Sequence, residues 1–175
     1  GDAARANGVR DCEICETGDG GIILQGGDRR TLTAGRCFAV NNHIHHYQRW
    51  CRTYRPGMLV CGVVNRVANN LIHDAPHSAI ILGGNDNVVE YNEIHHVCQE
   101  TLDAGAFYMG RDWSQRGNIV RCNYFHHLQP IHQKAQFAEV MAIYLDDWSS
   151  GTLVSMCLGA LALSYAGTGL AFAHD

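Results

Sequence analysis

Residues 91–97 read YNEIHHV, and close copies of this segment recur along the 175-residue chain. In each copy an asparagine is followed two positions later by an apolar residue and then by a histidine. The shared template is therefore V-x-x-N-x-I-H-H, with substitutions. The copies are NNHIHHY at 41–47, NNLIHDA at 69–75, CNYFHHL at 122–128 and, more weakly, VRDCEICE at 9–16.

A second type of segment lies in every interval between these copies. It is a short β-prone run that ends in glycine or a polar turn. The shortest interval between equivalent asparagines is the 22 residues from Asn70 to Asn92, and the other intervals are 28 and 31 residues. The runs are GIILQGG at 21–27, GMLVCGV at 57–63, AIILGGN at 79–85, AFYMGRD at 106–112 and AIYLDDW at 142–148.

Repeats of about 20–30 residues that hold short strands and no segment of helical period indicate a parallel solenoid. The sequence therefore predicts an all-β fold, a single-stranded parallel β-helix of about five to six coils. A leucine-rich repeat has an overlapping period, but its L-x-x-L-x-L ladder is missing here. An antiparallel sandwich would not need the same side chain at the same corner in every copy.

Equivalent residues of a parallel solenoid stack at the spacing of hydrogen-bonded strands, about 4.8 Å. The repeated asparagines are predicted to form an inward ladder, because a buried amide needs hydrogen-bond partners. The histidines are predicted to stack beside them as a structural ladder rather than a metal site, because no acidic or cysteine partner recurs in every copy. The predicted ladders are Asn42, Asn70, Asn92 and Asn123, and His45, His73, His95 and His126.

The composition excludes several classes of protein. Apolar residues make up 46% and charged residues 17% of the chain, which excludes disorder. The formal net charge of −4 gives no basic surface for nucleic acid. Eight irregularly spaced cysteines, with Cys12 and Cys15 as the one CxxC, indicate scattered structural thiols rather than zinc ligands, although disulfides are permitted. No metal and no cofactor is predicted.

The last two β-prone runs depart from the others and carry acidic residues. When Ala106 is superposed on Ala142, Tyr108 pairs with Tyr144. Alternation along the strands then directs Phe107, Met109, Ile143 and Leu145 to the core. The opposite, outer face is predicted to gather two carboxylates and three aromatic rings, from Tyr108, Asp112, Tyr144, Asp146 and Trp148.

This outer face suggests carbohydrate chemistry. Strand geometry predicts about 8 Å between the Cα atoms of Asp112 and Asp146, a range that suits an acid and a nucleophile or base in glycoside hydrolysis. Tyrosine and tryptophan rings stack on sugar rings through their apolar faces. The alternative interpretation is an Arg111–Asp147 ion pair within a solvated polar rim, with Asp103 as a turn residue.

Three segments resemble bacterial right-handed parallel β-helix proteins of the pectate-lyase-like superfamily, closest to glycoside hydrolase family 141 and its relatives. They are NRVANNLIHDAPHSAIILGGNDNVVEYNEIHHV, DAGAFYMGRDWSQRGNIVRCNYFHHL and AIYLDDWSSGT. The resemblance covers about residues 8–152 and implies a right-handed helix and a secreted or periplasmic enzyme acting on plant or microbial polysaccharide. Fucosidase and xylanase activities are associated with that family.

The resemblance implies that the catalytic aspartates correspond to Asp103 in DAGA and to Asp146 or Asp147 in YLDD. Asp103 and Asp112 therefore compete for the second catalytic role. The complete set of candidates comprises Asp103, Asp112, Asp146 and Asp147 for catalysis, and Tyr108, Arg111, Trp113, Tyr144 and Trp148 for substrate binding. A polysaccharide lyase with Arg111 as base, or a non-catalytic glycan-binding or inactive fragment, is the alternative function.

The chain is predicted to divide into β-helix coils over residues 1–151 and an apolar tail over residues 152–175. The repeat template stops after Gly151, so the tail is interpreted as a capping segment or a non-native extension. Family members are longer, so the chain resembles a central part of such a protein, and no secretory leader is visible in it. The expected partner is a polysaccharide or oligosaccharide, with no nucleic acid and no membrane, and the protein is expected to be a monomer.

Overall fold

The computed structural model describes residues 4–128, 140–159 and 163–165. Three parallel sheets run along the molecule, and consecutive strands of the chain enter sheets 1, 2 and 3 in turn. Sheet 1 holds β1 (Gly8–Arg10), β5 (Phe38–Val40), β8 (Arg66–Ala68), β11 (Val88–Glu90), β14 (Asn118–Arg121) and β17 (Thr152–Ser155). Sheet 2 holds β2 (Glu13–Cys15), β6 (His43–His45), β9 (Leu71–His73), β12 (Glu93–His95), β15 (Tyr124–His126) and β18 (Leu158–Gly159).

Sheet 3 carries the β-prone runs that separate the repeated motifs. It holds β3 (Ile22–Asp28), β7 (Met58–Gly62), β10 (Ile80–Leu82), β13 (Ala104–Met109), β16 (Val140–Leu145) and β19 (Leu163–Tyr165). A short strand, β4 (Thr33–Ala34), pairs antiparallel with the end of β3. Every coil contributes one strand to each sheet, so the predicted all-β parallel β-helix is confirmed.

The repeated motif forms sheet 2 in the register that the sequence predicts. Ile14, Ile44, Ile72, Ile94 and Phe125 are stacked partners in successive strands. The four later members of this row are at most 1% exposed. The weak copy at 9–16 is therefore the first coil, and the row forms part of one continuous core that runs along the solenoid.

The motif asparagines form a hydrogen-bonded ladder inside the corner between sheets 1 and 2. The side-chain amide of Asn42 donates to Oδ1 of Asn70, that of Asn70 to Asn92, and that of Asn92 to Asn123, each at 2.9 Å. Each Oδ1 also accepts the backbone N–H of the preceding asparagine, at 2.9–3.0 Å. All four residues are at most 2% exposed, so these bonds satisfy polar groups that water cannot reach.

A second asparagine ladder lies at the other end of sheet 1 and was not predicted. Oδ1 of Asn65 accepts the backbone N–H of Cys37, Oδ1 of Asn87 accepts that of Asn65, and Oδ1 of Asn118 accepts that of Asn87, at 2.9–3.0 Å. These asparagines precede the first ladder by five residues in every coil. That constant spacing was the sequence signal for this second ladder.

Left-handed backbone turns bound the short strands of sheet 2. The residue before each ladder asparagine has a positive φ of 53–56°, and the residue after each ladder histidine has one of 47–52°. Such angles bend the chain sharply, and asparagine, aspartate and histidine tolerate them better than β-branched residues do. The second histidine of each HH pair, or Asp74 in its place, is thus the corner residue. The two groups are Asn41, Asn69, Tyr91 and Cys122, and His46, Asp74, His96 and His127.

The ladder histidines stack through their rings along the outside of sheet 2. Ring centroids are 5.1 Å apart for His45 and His73, 4.6 Å for His73 and His95, and 4.7 Å for His95 and His126. Burial and the neighbouring imidazoles lower the pKa of His95 to about 4, so it stays neutral at physiological pH. Neutral rings can stack at this spacing without the repulsion that adjacent imidazolium groups would suffer.

Glu90 is held between two arginines on sheet 1 and should contribute to stability. Arg66 and Arg121 each donate from Nε to one of its oxygens at 2.8 Å and also approach through Nη2 at 2.7 Å. Glu90 is 4% exposed, and burial alone would raise its pKa. The hydrogen bonds from Arg121 and Arg66 nevertheless hold the pKa below the ordinary 4.5.

We expect Glu90→Gln to lower the free energy of unfolding by about 1–2 kcal/mol at neutral pH, because it removes two charge-assisted pairs. The pKa of Glu90 is lower in the folded state than its ordinary value of 4.5, so its ion pairs stabilise the fold fully above pH 4.5. This stabilisation is lost as the pH falls through the pKa of the folded state. Urea titrations between pH 3 and 7 would check this. The difference in free energy of unfolding between wild type and variant should become smaller in acid. A difference that does not depend on pH would contradict a stabilising role for the Glu90 charge.

The regular coils continue beyond the boundary predicted after Gly151. Thr152–Ser155 pairs in register with Asn118–Arg121, and Leu158 stands next to Tyr124. Main-chain hydrogen bonds continue the stack here although the asparagine and histidine positions are no longer filled by those residues. The remainder of the predicted tail, apart from the short strand Leu163–Tyr165, lies outside the described residues.

All eight cysteines are free thiols. Cys37 and Cys98 are buried and pack in the core, as structural thiols do. In the described part of the chain, no helix is long and apolar enough to cross a membrane.

Candidate functional site

The candidate site lies on the outer face of sheet 3, on the neighbouring strands β13 and β16. Tyr108 and Tyr144 are register partners, and their rings meet edge to face with centroids 5.6 Å apart. Their strand neighbours Phe107, Met109 and Ile143 are at most 2% exposed and face the core. The predicted register and alternation of these two strands are therefore confirmed.

Two glycines of the DAGA and GRDW segments allow the β16 side chains to approach closely. A Cβ atom on Gly105 would lie 2.6 Å from Cβ of Tyr144, and one on Gly110 would lie 2.7 Å from Cβ of Asp146. Real Cβ atoms do not come so close, so a larger residue at either position would displace its neighbour. The glycines therefore help to fix where the phenol of Tyr144 and the carboxylate of Asp146 lie.

Asp146 lies at the end of β16 and is only 7% exposed. Its Oδ2 accepts a hydrogen bond of 2.8 Å from the Tyr108 hydroxyl, and Nε of Arg111 lies 3.5 Å away. Burial opposes ionisation of Asp146, but a hydrogen bond from the Asp147 backbone, the Tyr108 hydroxyl and the Arg111 charge keep its pKa below the ordinary value. Asp146 is therefore a carboxylate at neutral pH.

Asp103 is hydrogen-bonded to Tyr144, the register partner of Tyr108. The Tyr144 hydroxyl donates to Oδ1 of Asp103 at 3.0 Å. Burial, this hydrogen bond and the nearby charge of Asp146 raise the pKa of Tyr144. Asp103 and Asp146, 43 residues apart in the chain, are thus hydrogen-bonded to two tyrosines that are register partners. Asp103 itself is exposed and has a left-handed φ of 52°, so its carboxyl group is open to solvent beside the strands.

Asp112 is directed to a different set of partners. Its Oδ2 accepts from Nη1 of Arg29 at 3.0 Å, and its Oδ1 accepts from the Ser114 hydroxyl and backbone N–H at 2.5 and 2.9 Å. The Ser114 hydrogen bonds, together with Arg29, lower the pKa of Asp112 to about 2. Asp112 therefore forms an ion pair with Arg29, and its catalytic pairing with Asp146 stays a prediction.

Arg111 and Asp147 do not form the ion pair that was considered from the sequence. The Arg111 guanidinium approaches Asp146 instead, while its backbone N–H donates to the carbonyl of Asp147. The Asp147 side chain is exposed and makes no hydrogen bond to any described residue. The physical reason is the turn after β16, which brings the main chain of Asp147 towards β13 and leaves its carboxylate in solvent.

Three of the predicted aromatic residues differ in accessibility. Tyr144 is 9% exposed, so its hydroxyl rather than its ring is available to a ligand, whereas Trp113 and Trp148 are each 69% exposed. The Ser150 hydroxyl donates to the carbonyl of Trp113 at 2.8 Å, which joins the two tryptophan-bearing turns. The exposed rings of Trp113 and Trp148 could therefore contact a sugar beside the aspartates.

Arg29 is the neighbour of the site that sequence reasoning missed. It precedes Asp112 by 83 residues, and its Nε also donates to Oδ1 of Asn85 at 3.0 Å. It helps to line an open groove of about 470 Å³ beside Asp112, together with Arg30, Leu32, Asn85, Asp86, Ser114, Arg116 and Gly117. Arg29 belongs to the loop after β3, which has no counterpart in the repeat template, so periodicity could not place it.

Metal-binding potential is confined to sheet 2 among the described residues. Donor atoms close enough to share an ion occur in Glu13, Cys15 and His45, and again in Glu93, His95 and His126. The aspartates on sheet 3 form no such group within the same residues.

Comparisons with known proteins identify the fold family. A family model described as "Right handed beta helix region" matches residues 2–158. No curated protein and no solved structure matched the chain. The matched range extends past Gly151, in agreement with the continued coils of the structure.

Proposed function

Because the chain belongs to the right-handed β-helix family, we propose that it is a carbohydrate-active protein, a glycoside hydrolase that uses Asp103 and Asp146. The observation that carries this proposal is that Asp103 and Asp146 accept hydrogen bonds from Tyr144 and Tyr108, which are register partners on adjacent strands. Glycoside hydrolysis requires two carboxyl groups that flank one bond. The resemblance to glycoside hydrolase family 141 supports Asp103 with either Asp146 or Asp147, and a secreted or periplasmic enzyme that acts on plant or microbial polysaccharide.

The surroundings of the two aspartates support different roles. Asp146 is ionised and hydrogen-bonded, so it acts as the nucleophile or as the base that activates water. Asp103 is the second carboxyl group beside this pair of tyrosines, so the remaining role, protonation of the leaving oxygen, is assigned to it. The Tyr108 hydroxyl, 2.8 Å from Oδ2 of Asp146, orients the reacting carboxylate.

Asp112 is better suited to positioning than to catalysis. A carboxyl group with a pKa of about 2 carries no proton to donate at neutral pH. Its ion pair with Arg29 also removes the free charge that a nucleophile would need. Asp112 instead ties the loop that follows β3 to the turn that follows β13.

A polysaccharide lyase is the second candidate, favoured by the arginines of the groove beside Asp112. Arg29, Arg30 and Arg116 line this groove and could neutralise the carboxylates of an acidic polysaccharide. Arg111 is a poor base for this reaction, because hydrogen bonds to Tyr108 and Asp146 raise its pKa above the ordinary value. A lyase reaction would therefore need a base other than Arg111.

Product analysis distinguishes the two reactions. Purified protein would be incubated with neutral and acidic plant and microbial polysaccharides, and both reducing ends and ultraviolet absorbance would be measured. We expect new reducing ends without an absorbing product, because hydrolysis adds water across the bond whereas a lyase leaves a double bond. Absorbance that rises with the reducing ends would replace the hydrolase proposal by the lyase, and bound glycan without turnover would support a binding module.

We expect Trp148→Ala to weaken glycan binding about two- to twelvefold, if the stacking of a sugar on the ring is worth about 0.5–1.5 kcal/mol, as for a pair of aromatic rings. The matched control is Trp50→Ala, since Trp50 is 87% exposed but lies against Gly18 in the first coils. Affinity electrophoresis or calorimetry with the glycan that is cleaved would measure both variants. Equal affinities for the two variants would exclude Trp148 from the binding surface.

A further inference from the structure

Glu93, His95 and His126 form a cluster on the outside of sheet 2, here called the coil-bridging cluster. Their donor atoms all lie within 4.8 Å of one another. We propose that this cluster binds a divalent transition-metal ion of the zinc type and thereby links the strands β12 and β15. Two imidazoles and one carboxylate are a donor set suited to such ions, and solvent would complete the coordination.

The register of sheet 2 creates the cluster. His95 and His126 are partners in adjacent strands, and their rings stack with centroids 4.7 Å apart. Glu93 lies two residues before His95, on the same side of β12, and reaches diagonally to the next coil. Its Oε1 lies 3.1 Å from Nε2 of His126, close to the separation of about 3.3 Å between two ligands of a tetrahedral zinc ion with bonds of about 2.0–2.1 Å.

The histidines that follow in sequence provide outer partners for both imidazole ligands. Nδ1 of His95 lies 2.7 Å from Nδ1 of His96, and Nδ1 of His126 lies 2.6 Å from Nδ1 of His127. An imidazole that binds a metal through Nε2 carries its proton on Nδ1 and donates it to a neighbouring acceptor. His96 and His127 can accept these protons, so the repeated HH pair supplies a ligand and its outer partner in two successive coils.

The other coils of the ladder lack the complete donor set. In the preceding coil, Leu71 occupies the position of Glu93. The rings of His73 and His95 also stack there, but no carboxylate from the Leu71 position reaches across to His95. In the first coil Glu13 makes the same diagonal contact with His45, at 3.2 Å, but Cys15 stands where His95 would be. Of the two groups of described residues whose donor atoms lie close enough to share an ion, the coil-bridging cluster is the one with two imidazoles and a carboxylate, because the other has a single imidazole and the Cys15 thiol.

An ion can reach this cluster from solvent. The side chain of Glu93 is 51% exposed and that of His126 is 17% exposed. The Tyr124 ring stacks on His126 with centroids 4.4 Å apart and holds the imidazole in place. The cluster lies on sheet 2, whereas the aspartates lie on sheet 3, so the metal site is independent of the proposed hydrolase activity.

Competition between the reduced full-length protein and a chromophoric chelator for Zn²⁺ would test the proposal. We expect Glu93→Gln to weaken Zn²⁺ binding by at least about tenfold, because the amide keeps the shape but loses the charge. The matched control Glu13→Gln removes the same diagonal contact at the other end of the ladder and should keep the wild-type affinity. Circular dichroism would verify that both variants fold.

Co²⁺ spectroscopy provides an independent readout of the ligands. We expect d–d bands that require Glu93 and show no thiolate charge-transfer band, because the proposed ligands are nitrogen and oxygen. Zn²⁺ should also raise the melting temperature of the wild-type protein more than that of Glu93→Gln, since an ion that binds only the folded state stabilises it. Absence of Zn²⁺ binding, equal affinities of wild type and Glu93→Gln, or binding dominated by the thiolate band would overturn the proposal.

Discussion

Replacing Asn92 with leucine is expected to lower the free energy of unfolding by about 2–4 kcal/mol, a large part of the stability of an ordinary domain. Asn92 is 1% exposed and lies in the middle of the first asparagine ladder. Its Oδ1 accepts the backbone N–H of Asn70 at 3.0 Å and the side-chain amide of Asn70 at 2.9 Å. Leucine has a similar volume but accepts neither bond, so a buried N–H is left without a partner.

The loss of hydrogen bonds in this variant should extend to the neighbouring coils. The amide of Asn92 donates to Oδ1 of Asn123 at 2.9 Å and to the carbonyl of Val67 at 3.3 Å. The variant therefore also removes a donor from each of these acceptors. Urea unfolding followed by circular dichroism would measure the change in free energy.

Asn69→Gly is the matched control for this variant. Asn69 is the exposed neighbour of a ladder asparagine and has a left-handed φ of 56°, which glycine adopts without strain. We expect a change below about 1 kcal/mol for this control. A leucine variant as stable as the control would show that the ladder bonds do not hold the coils together.

Asp146→Asn is expected to reduce hydrolysis by about 10²- to 10⁴-fold, the range for removal of a general base. The amide can still accept the hydrogen bond from Tyr108, so the site should keep its shape while it loses the reactive charge. Initial rates of reducing-end release on the identified substrate would give the ratio. Thermal denaturation of both proteins would show that the fold is unchanged.

Asp147→Asn is the matched control, because the adjacent carboxylate is exposed and contributes only its main chain to the site. We expect this variant to retain activity near the wild-type level. If Asp147→Asn were inactive and Asp146→Asn active, the roles of the two YLDD aspartates would have to be exchanged. Full activity in both variants would exclude this carboxylate pair from catalysis.

Asp103→Asn should separate the role of the acid from that of the base. A substrate whose leaving group needs no protonation should lose much less activity in this variant than the natural glycan does. The same activated substrate should not rescue Asp146→Asn, because attack on the sugar still needs the carboxylate. Equal rescue of both variants would contradict the assignment of roles.

The sequence determined the fold because a parallel solenoid stacks equivalent residues. The position of Asn92 within its repeat, together with Ile94 and His95, was enough to set the register of sheet 2. The alternation around Tyr108 and Tyr144 likewise predicted which residues of β13 and β16 face the core. The second asparagine ladder is also encoded in the sequence, by asparagines five residues before those of the first.

Tertiary structure alone decided which side chains meet at the candidate sites. Arg29 binds Asp112 across 83 residues, and Tyr144 binds Asp103 across 41. The strands repeat because their main chains must continue one hydrogen-bond register from coil to coil. Turns and loops are not held in such a register. The directions of their side chains therefore depend on packing contacts between coils that do not repeat in the sequence. The same contacts decide the partners of each aspartate.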